Sequence, residues 1–110
     1  MKKSVEQVLV VLVTAATQKE AVRIGKGMVN AKLAACANII PAVQSIYRWK
    51  GKVTQAQEAL LILKSTQSRY GALEKAIKMI HTYETPEIIA LPVKKGFDQY
   101  VGWVCRETHS

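Results

Sequence analysis

The sequence predicts an α+β domain whose elements run strand–helix–strand–strand–helix–strand, with a long central hairpin and a helix at the end. Three observations support this. Residues 32–65, KLAACANIIPAVQSIYRWKGKVTQAQEALLILKS, alternate apolar or β-branched with polar residues on both sides of Lys50-Gly51-Lys52, the pattern of a β-hairpin. Two segments flanking this hairpin carry apolar residues at helical spacing behind capping signals. The apolar runs VLVVLV and IIALPV at the two ends are short and suit buried strands.

In chain order, residues 5–14 form the first strand, whose unbroken apolar run suits a central position. Thr17 and Glu20 then make a T-x-x-E capping box, which satisfies free amides at a helix start. Ala21, Ile24, Met28 and Val29 recur at helical spacing to about Lys32, with Lys19, Arg23, Lys26 and Asn30 on other faces. Gly25 inside that helix costs about 1 kcal/mol against alanine, which points to close packing on the sheet. In the hairpin, Pro41 removes a ladder donor, so a bulge belongs there. It divides the first strand into a base at residues 35–40 and an arm from about Val43. Each strand is expected to run about nine to twelve residues, longer than the usual five or six. On the return strand Glu58, Leu60, Ile62 and Lys64 share one face, and Ala59, Leu61 and Leu63 the other.

Thr66 or Ser68 is expected to cap the second helix, which carries Leu73, Ala76, Ile77 and Ile80 as an apolar stripe. That helix ends in HTYETPE, because Thr85 precedes a proline. A fourth strand spans residues 88–93, and Asp98 is expected to cap a last helix bearing Tyr100, Val101, Trp103 and Val104. This order is the split βαβ, ferredoxin-like arrangement: four antiparallel strands with two helices on one face. Residues 1–110 make a single domain without linkers or low-complexity tracts, long enough to bury roughly 65% of its unfolded surface.

Both faces of the strands are apolar, so the face without helices needs a partner. The arm tip, with Tyr47 and Trp49, likewise extends beyond what a domain of this size covers by itself. Three copies with their open faces turned inward, each arm lying on a neighbour, bury both surfaces, so a homotrimer with Tyr47 and Trp49 at its interface is expected.

The composition is 49% hydrophobic and 22% charged, that of a folded globular chain. The longest apolar run falls far short of the ~20 residues that cross a bilayer. Met-Lys-Lys resembles the basic end of a signal peptide, but Glu6 and Gln7 interrupt before the apolar run. A cytoplasmic protein with no membrane partner is therefore expected. Cys36 and Cys105 form no CxxC pair and are expected as reduced thiols. Sixteen basic against eight acidic residues give a net charge of +8, with the basic residues scattered rather than in a block, as on a solvated surface. An RNA-recognition module has the same element order, but its third strand carries aromatics where this one reads EALLILKS. A nucleic-acid partner is therefore the lesser alternative. No nucleophile motif, glycine-rich phosphate loop or HExxH is present, so no enzyme activity and no catalytic residue are expected.

The runs KLAACANIIP, SIYRWKGKV, LILKS and HTYETPEIIALPV, followed by Gly96, Tyr100 and Trp103, closely resemble the divalent-cation-tolerance family CutA. The resemblance runs from the first strand to the last helix. It implies a stable homotrimer of ferredoxin-like subunits, similar in shape to the PII signalling proteins and linked to tolerance of copper and other divalent metals. It makes His81 the metal candidate, at the histidine of the family's H-P-Y-x-x-P-E motif, with Thr82 in place of proline. In some members copper is held by a cysteine at the end of the first strand and two adjacent histidines. Those positions read Val13 and Ile80 here, so only His81 of that set is present. Copper or another divalent metal is the implied cofactor, and folding does not require it. The alternative for His81 is a role at the helix C-terminus, bonding the last carbonyls. Glu58, Lys64, Tyr83, Glu84 and Glu87 are expected to line a cleft between subunits. There they either bind a small anion or metal chelate, as PII clefts bind effectors, or fix the trimer by ion pairs.

Overall fold

The computed structural model describes residues 6–109, so Val5 and the Lys2-Lys3 pair lie outside the described residues. The elements are β1 (Val8–Ala15), α1 (Gln18–Asn30), β2 (Cys36–Trp49), β3 (Lys52–Thr66), α2 (Gln67–Ile80), β4 (Ile88–Pro92) and α3 (Asp98–Glu107). The four strands form one antiparallel sheet in the order β2-β3-β1-β4, the ferredoxin-like arrangement.

Alternation along the strands divides the apolar residues between two faces. Leu9, Val11 and Val13 of β1 and Leu61 and Leu63 of β3 point to the helices, where they are buried against Ile24 and Met28 of α1 and Leu73 and Ile77 of α2. The helix contact is tight at Gly25, where a Cβ would stand 3.0 Å from the Ala37 Cβ and 3.3 Å from a Leu61 methyl. On the opposite face Leu12 lies across from Ile62 and Ile89, and Val10 across from Leu91. No helix covers this middle region: Ile89 and Leu91 are half exposed. At one end of the sheet α3 packs Val104 against Val8 and Ala35.

The hairpin exceeds its expected length, at 14 and 15 residues. The register slips between Ile40 and Val43, which brackets Pro41, and pairing then resumes to Trp49–Lys52. Pro41 bends the strand without ending it, because β2 is an edge strand, where a missing donor is tolerated. Lys50 (φ 50°) and Gly51 (φ 79°) both take left-handed backbone, as a tight two-residue turn between twisted strands requires. The arm stretches the molecule to 55 × 25 × 22 Å and gives a radius of gyration of 14.9 Å, against about 13 Å for a compact chain of this length.

Two expected caps are corrected. Thr66 occupies the N-cap of α2 but its side chain makes no capping bond; the Ser68 N–H instead donates to a Glu6 carboxylate oxygen at 2.8 Å. Phe97, not Asp98, is the N-cap of α3. Asp98 is the first helical residue, where its charge still complements the helix dipole.

Candidate functional site

The arm and the segment following α2 face each other across a cleft of about 670 Å³. Tyr47 and Trp49 of β2 form one wall, Tyr83, Glu84 and Glu87 the other, and Glu58 of β3 lies between them. Bending at Pro41 and the end of α2 at Ile80 together create this concavity.

The wall formed by residues 81–87 is held by a buried polar cluster. Glu20, near the start of α1, is 7% exposed. Its carboxylate accepts from the Thr82 N–H (2.9 Å), the Thr82 hydroxyl (3.0 Å) and the Ala16 N–H (3.3 Å). Burial alone would raise its pKa. The Thr82 N–H and hydroxyl, the His81 ring and the Ala16 N–H outweigh burial and hold it below the ordinary value. The Thr17 hydroxyl accepts from the Glu20 N–H at 3.1 Å, half of the expected capping box. The other half differs: Glu20 reaches Ala16 rather than the Thr17 amide, and its second oxygen extends to Thr82.

His81 belongs to the same cluster. The Tyr83 N–H donates to its Nδ1 at 3.0 Å, so Nδ1 carries the lone pair. Nε2 then carries the hydrogen and donates to the Thr14 carbonyl at 2.7 Å. The ring joins β1 to the cleft wall, rather than bonding the last carbonyls of its own helix. With both nitrogens engaged, this arrangement offers no lone pair to a metal. Among the described residues no group of three or more His, Cys, Asp or Glu side chains converges to hold an ion. The donor set at His81 therefore does not fit a chelated metal within one chain.

Tyr83 packs its ring 4.8 Å from that of His81 and donates its hydroxyl to Glu58 at 2.6 Å. Burial, and then the Glu58 carboxylate, push the Tyr83 pKa up, so the phenol stays protonated and remains the donor. Within one chain, Glu58, Tyr83, Glu84 and Glu87 line the same cleft and Lys64 lies elsewhere; the cleft expected between subunits is a matter of assembly. Lys64 pairs with Cys36 and Val10 at the far end of the sheet, and its ammonium donates to Asn38. The face-sharing of Glu58 and Lys64 was legible from period two, but six steps along β3 hold them roughly 20 Å apart.

Glu20, Thr82 and Thr14 also form the site, without a motif that marks them for it. Their signal was partial: T-x-x-E marks a helix start and says nothing about a loop sixty residues later. At the other end of the sheet Cys36 and Cys105 are free thiols. The Cys36 sulfur shares a 3.5 Å hydrogen bond with the Tyr100 hydroxyl, and that contact, with burial, leaves the Tyr100 pKa pushed up to about 12.

Comparison with known proteins agrees with this architecture. The family described as CutA1 divalent ion tolerance protein matches residues 9–107. A divalent-cation tolerance protein CutA of Thermus thermophilus is 42% identical over 99 residues, covering 90% of this chain and 96% of that protein. Protein CutA of Mus musculus is also 42% identical, over 89% of this chain, and the chain spans about half of that relative (55%). Among solved structures, that of CutA1 from Oryza sativa superposes with a TM-score of 0.93 at 38% identity, covering 97% of this chain and 98% of the other. The Thermus thermophilus structure gives 0.91 at 41%, covering 93% and 99%. No helix among the described residues is long and apolar enough to cross a membrane. With the fold, the length of the match and the level of identity in agreement, the chain belongs to the CutA1 divalent-ion-tolerance family.

Proposed function

We propose that the protein acts as a homotrimeric divalent-cation tolerance protein. In this reading it has no catalytic activity and binds a metal ion or small ligand in clefts at or near subunit contacts. The uncovered sheet face carries the assembly part of this reading. Val10, Leu12, Leu60 and Ile62 lie on it beside Ile40, Ile89 and Leu91, which are 41–51% exposed. Burying a Leu or Ile side chain is worth about 1.5–3 kcal/mol, so a face with this many is strongly driven to find a partner. Tyr47 and Trp49 extend the same requirement along the arm. The cation tolerance for which the relatives are named supports the first part, and the two free thiols support a reducing, cytoplasmic compartment.

A ligand-sensing scaffold of PII type is the second reading, favoured by the cleft between arm and loop. Binding of copper at His81 entails that the ring releases Thr14 or Tyr83. Light scattering tests assembly: three chains of 12.2 kDa give about 37 kDa, and Ile62→Asp on the uncovered face is expected to lower that mass. A folded wild type of single-chain mass at micromolar concentration refutes the trimer. Copper and zinc titrations of wild type against His81→Ala test the metal; equal affinity removes it from this residue.

A further inference from the structure

The basic residues, scattered along the sequence, are gathered by the fold. The helix layer, residues 18–32 and 67–80, holds seven basic residues and two acidic ones, whereas the rest of the described chain holds seven and six. On α1 the buried Ala21, Ile24 and Met28 face the sheet, so Lys19, Arg23 and Lys26, at i, i+4 and i+7, form a stripe on the opposite side. On α2 Leu73 and Ile77 face the sheet, and Lys75 and Lys78 face away from it. Arg23 donates to the Ile80 carbonyl at 3.2 Å and Arg69 to the Lys32 carbonyl at 3.4 Å, so the helices lie antiparallel and their stripes run side by side.

Both acidic residues of the layer are turned away from this surface. Glu20 is buried and holds Thr82. Glu74 accepts from the Tyr70 hydroxyl at 3.1 Å, and that hydroxyl also lies 3.3 Å from the Ile88 carbonyl of β4. This draws Glu74 to the β4 edge, while α1 packs over β2 and β3. Lys19, Lys26, Lys75 and Lys78 are exposed and form no ion pair among the described residues. Like charges one helical turn apart repel, so the stripes stand at a cost to the helices that carry them. The surface is on the back of the sheet from the uncovered apolar face, and the proposed assembly leaves it open.

We infer that this helix face binds nucleic acid through its phosphates, without regard to base sequence. Lysine is depleted at protein–protein contacts, yet five of the seven cations here are lysines. The two arginines have N–H groups engaged by backbone carbonyls, and mobile ammonium groups suit a row of phosphates as point charges. A lipid surface fits less well: the apolar sides of both helices are used in the core, which leaves little to insert. In a trimer the three faces also point apart, so a flat bilayer meets one at a time, whereas a flexible strand can follow several. The route differs from that of an RNA-recognition module, whose sheet aromatics stack on bases; here the sheet faces the assembly and the helices face the partner.

Fluorescence anisotropy with labelled oligouridylate and oligoadenylate tests this. Both are expected to bind saturably at low salt, with affinities within about threefold of each other. Four lysines on a single strand predict a slope of about −2.8 in log affinity against log salt, a fall of about fiftyfold between about 50 and about 200 mM. The double variant Lys75→Gln, Lys78→Gln is expected to reduce that slope by about 1.4, and adding Lys19→Gln and Lys26→Gln to weaken binding at least tenfold. Lys94→Gln with Lys95→Gln, which removes the same charge from outside the layer, should leave affinity within about twofold. The inference is overturned by no saturable binding to wild type, by affinity that ignores salt, or by equal losses in the two double variants, which would make net charge the cause. Phosphatidylserine vesicles or polyglutamate displacing the oligonucleotide at equal charge concentration also overturn it, in favour of a membrane or an acidic protein.

Discussion

Replacing Glu20 by alanine removes the acceptor that joins the start of α1 to the cleft wall. Three hydrogen bonds are lost, at 2.9, 3.0 and 3.3 Å. Bonds to a charged group are worth about 1.5–3 kcal/mol each when the surroundings stay dry. Thr82 and Ala16 are exposed residues, however, so water takes over much of what their donors lose. The net cost is therefore expected at about 2–3 kcal/mol rather than the full sum. Glu20→Gln keeps an acceptor of the same shape without the charge and is expected to cost about half as much, since charge assistance roughly doubles such bonds. Guanidinium unfolding at one fixed protein concentration measures both, because stability of an associating chain depends on concentration. The pH dependence adds a second check. The folded carboxyl has its pKa below the ordinary 4.5, so its contribution is complete above about 4.5 and is lost as pH falls through the lower folded value. The gap between wild type and Glu20→Gln should accordingly stay constant from neutral pH down to about 4.5 and close below it. A cost under about 0.5 kcal/mol for Glu20→Ala, or a gap unchanged in acid, refutes the assigned role.

Two further outcomes follow from the packing and from the thiol end of the sheet. Leu61→Ala empties a fully buried position between α1 and the sheet and is expected to cost about 3–4 kcal/mol in the same unfolding assay. Met79→Ala, at a residue 78% exposed, should stay within about 0.5 kcal/mol, and equal losses at the two sites would contradict the assigned core. Tyr100 has its pKa pushed up to about 12, first by its hydrogen bond with Cys36, so Cys36→Ala should bring its phenolate absorbance transition back toward 10. Because the folded state favours the protonated phenol, the stability this contact supplies is present below pH 10 and lost as pH rises through about 12. An unchanged titration in the variant removes the thiol as the cause.

The layered architecture was legible because each element carried its own signal. Period two with apolar residues on both faces gave the strands and the uncovered apolar face, and Leu73 with Ile77 gave the buried side of α2. Ile80, placed on the same stripe, is 37% exposed, because the helix ends there and its last turn runs past the sheet. Caps were less legible. Thr66 and Asp98 have the right chemistry, but Glu6 from a distant segment serves α2, and Phe97 begins α3. The site was legible in part for the same reason. Glu58, Tyr83, Glu84 and Glu87 follow from the hairpin and the loop, whereas the Glu20–Thr82 contact spans 62 positions and no local pattern encodes it.

Gly25 sets the stand-off between α1 and the sheet at a value no larger residue permits. A methyl group there would meet the Ala37 Cβ at 3.0 Å, closer than about nine in ten such contacts, so the helix would have to lift by a few tenths of an ångström. Glu20 rides on the same rigid rod five residues upstream and grips Thr82, so the lift would be handed on to the far lip of the cleft. A hydrogen atom in place of a side chain thus acts as the spacer for a recess whose walls it never touches.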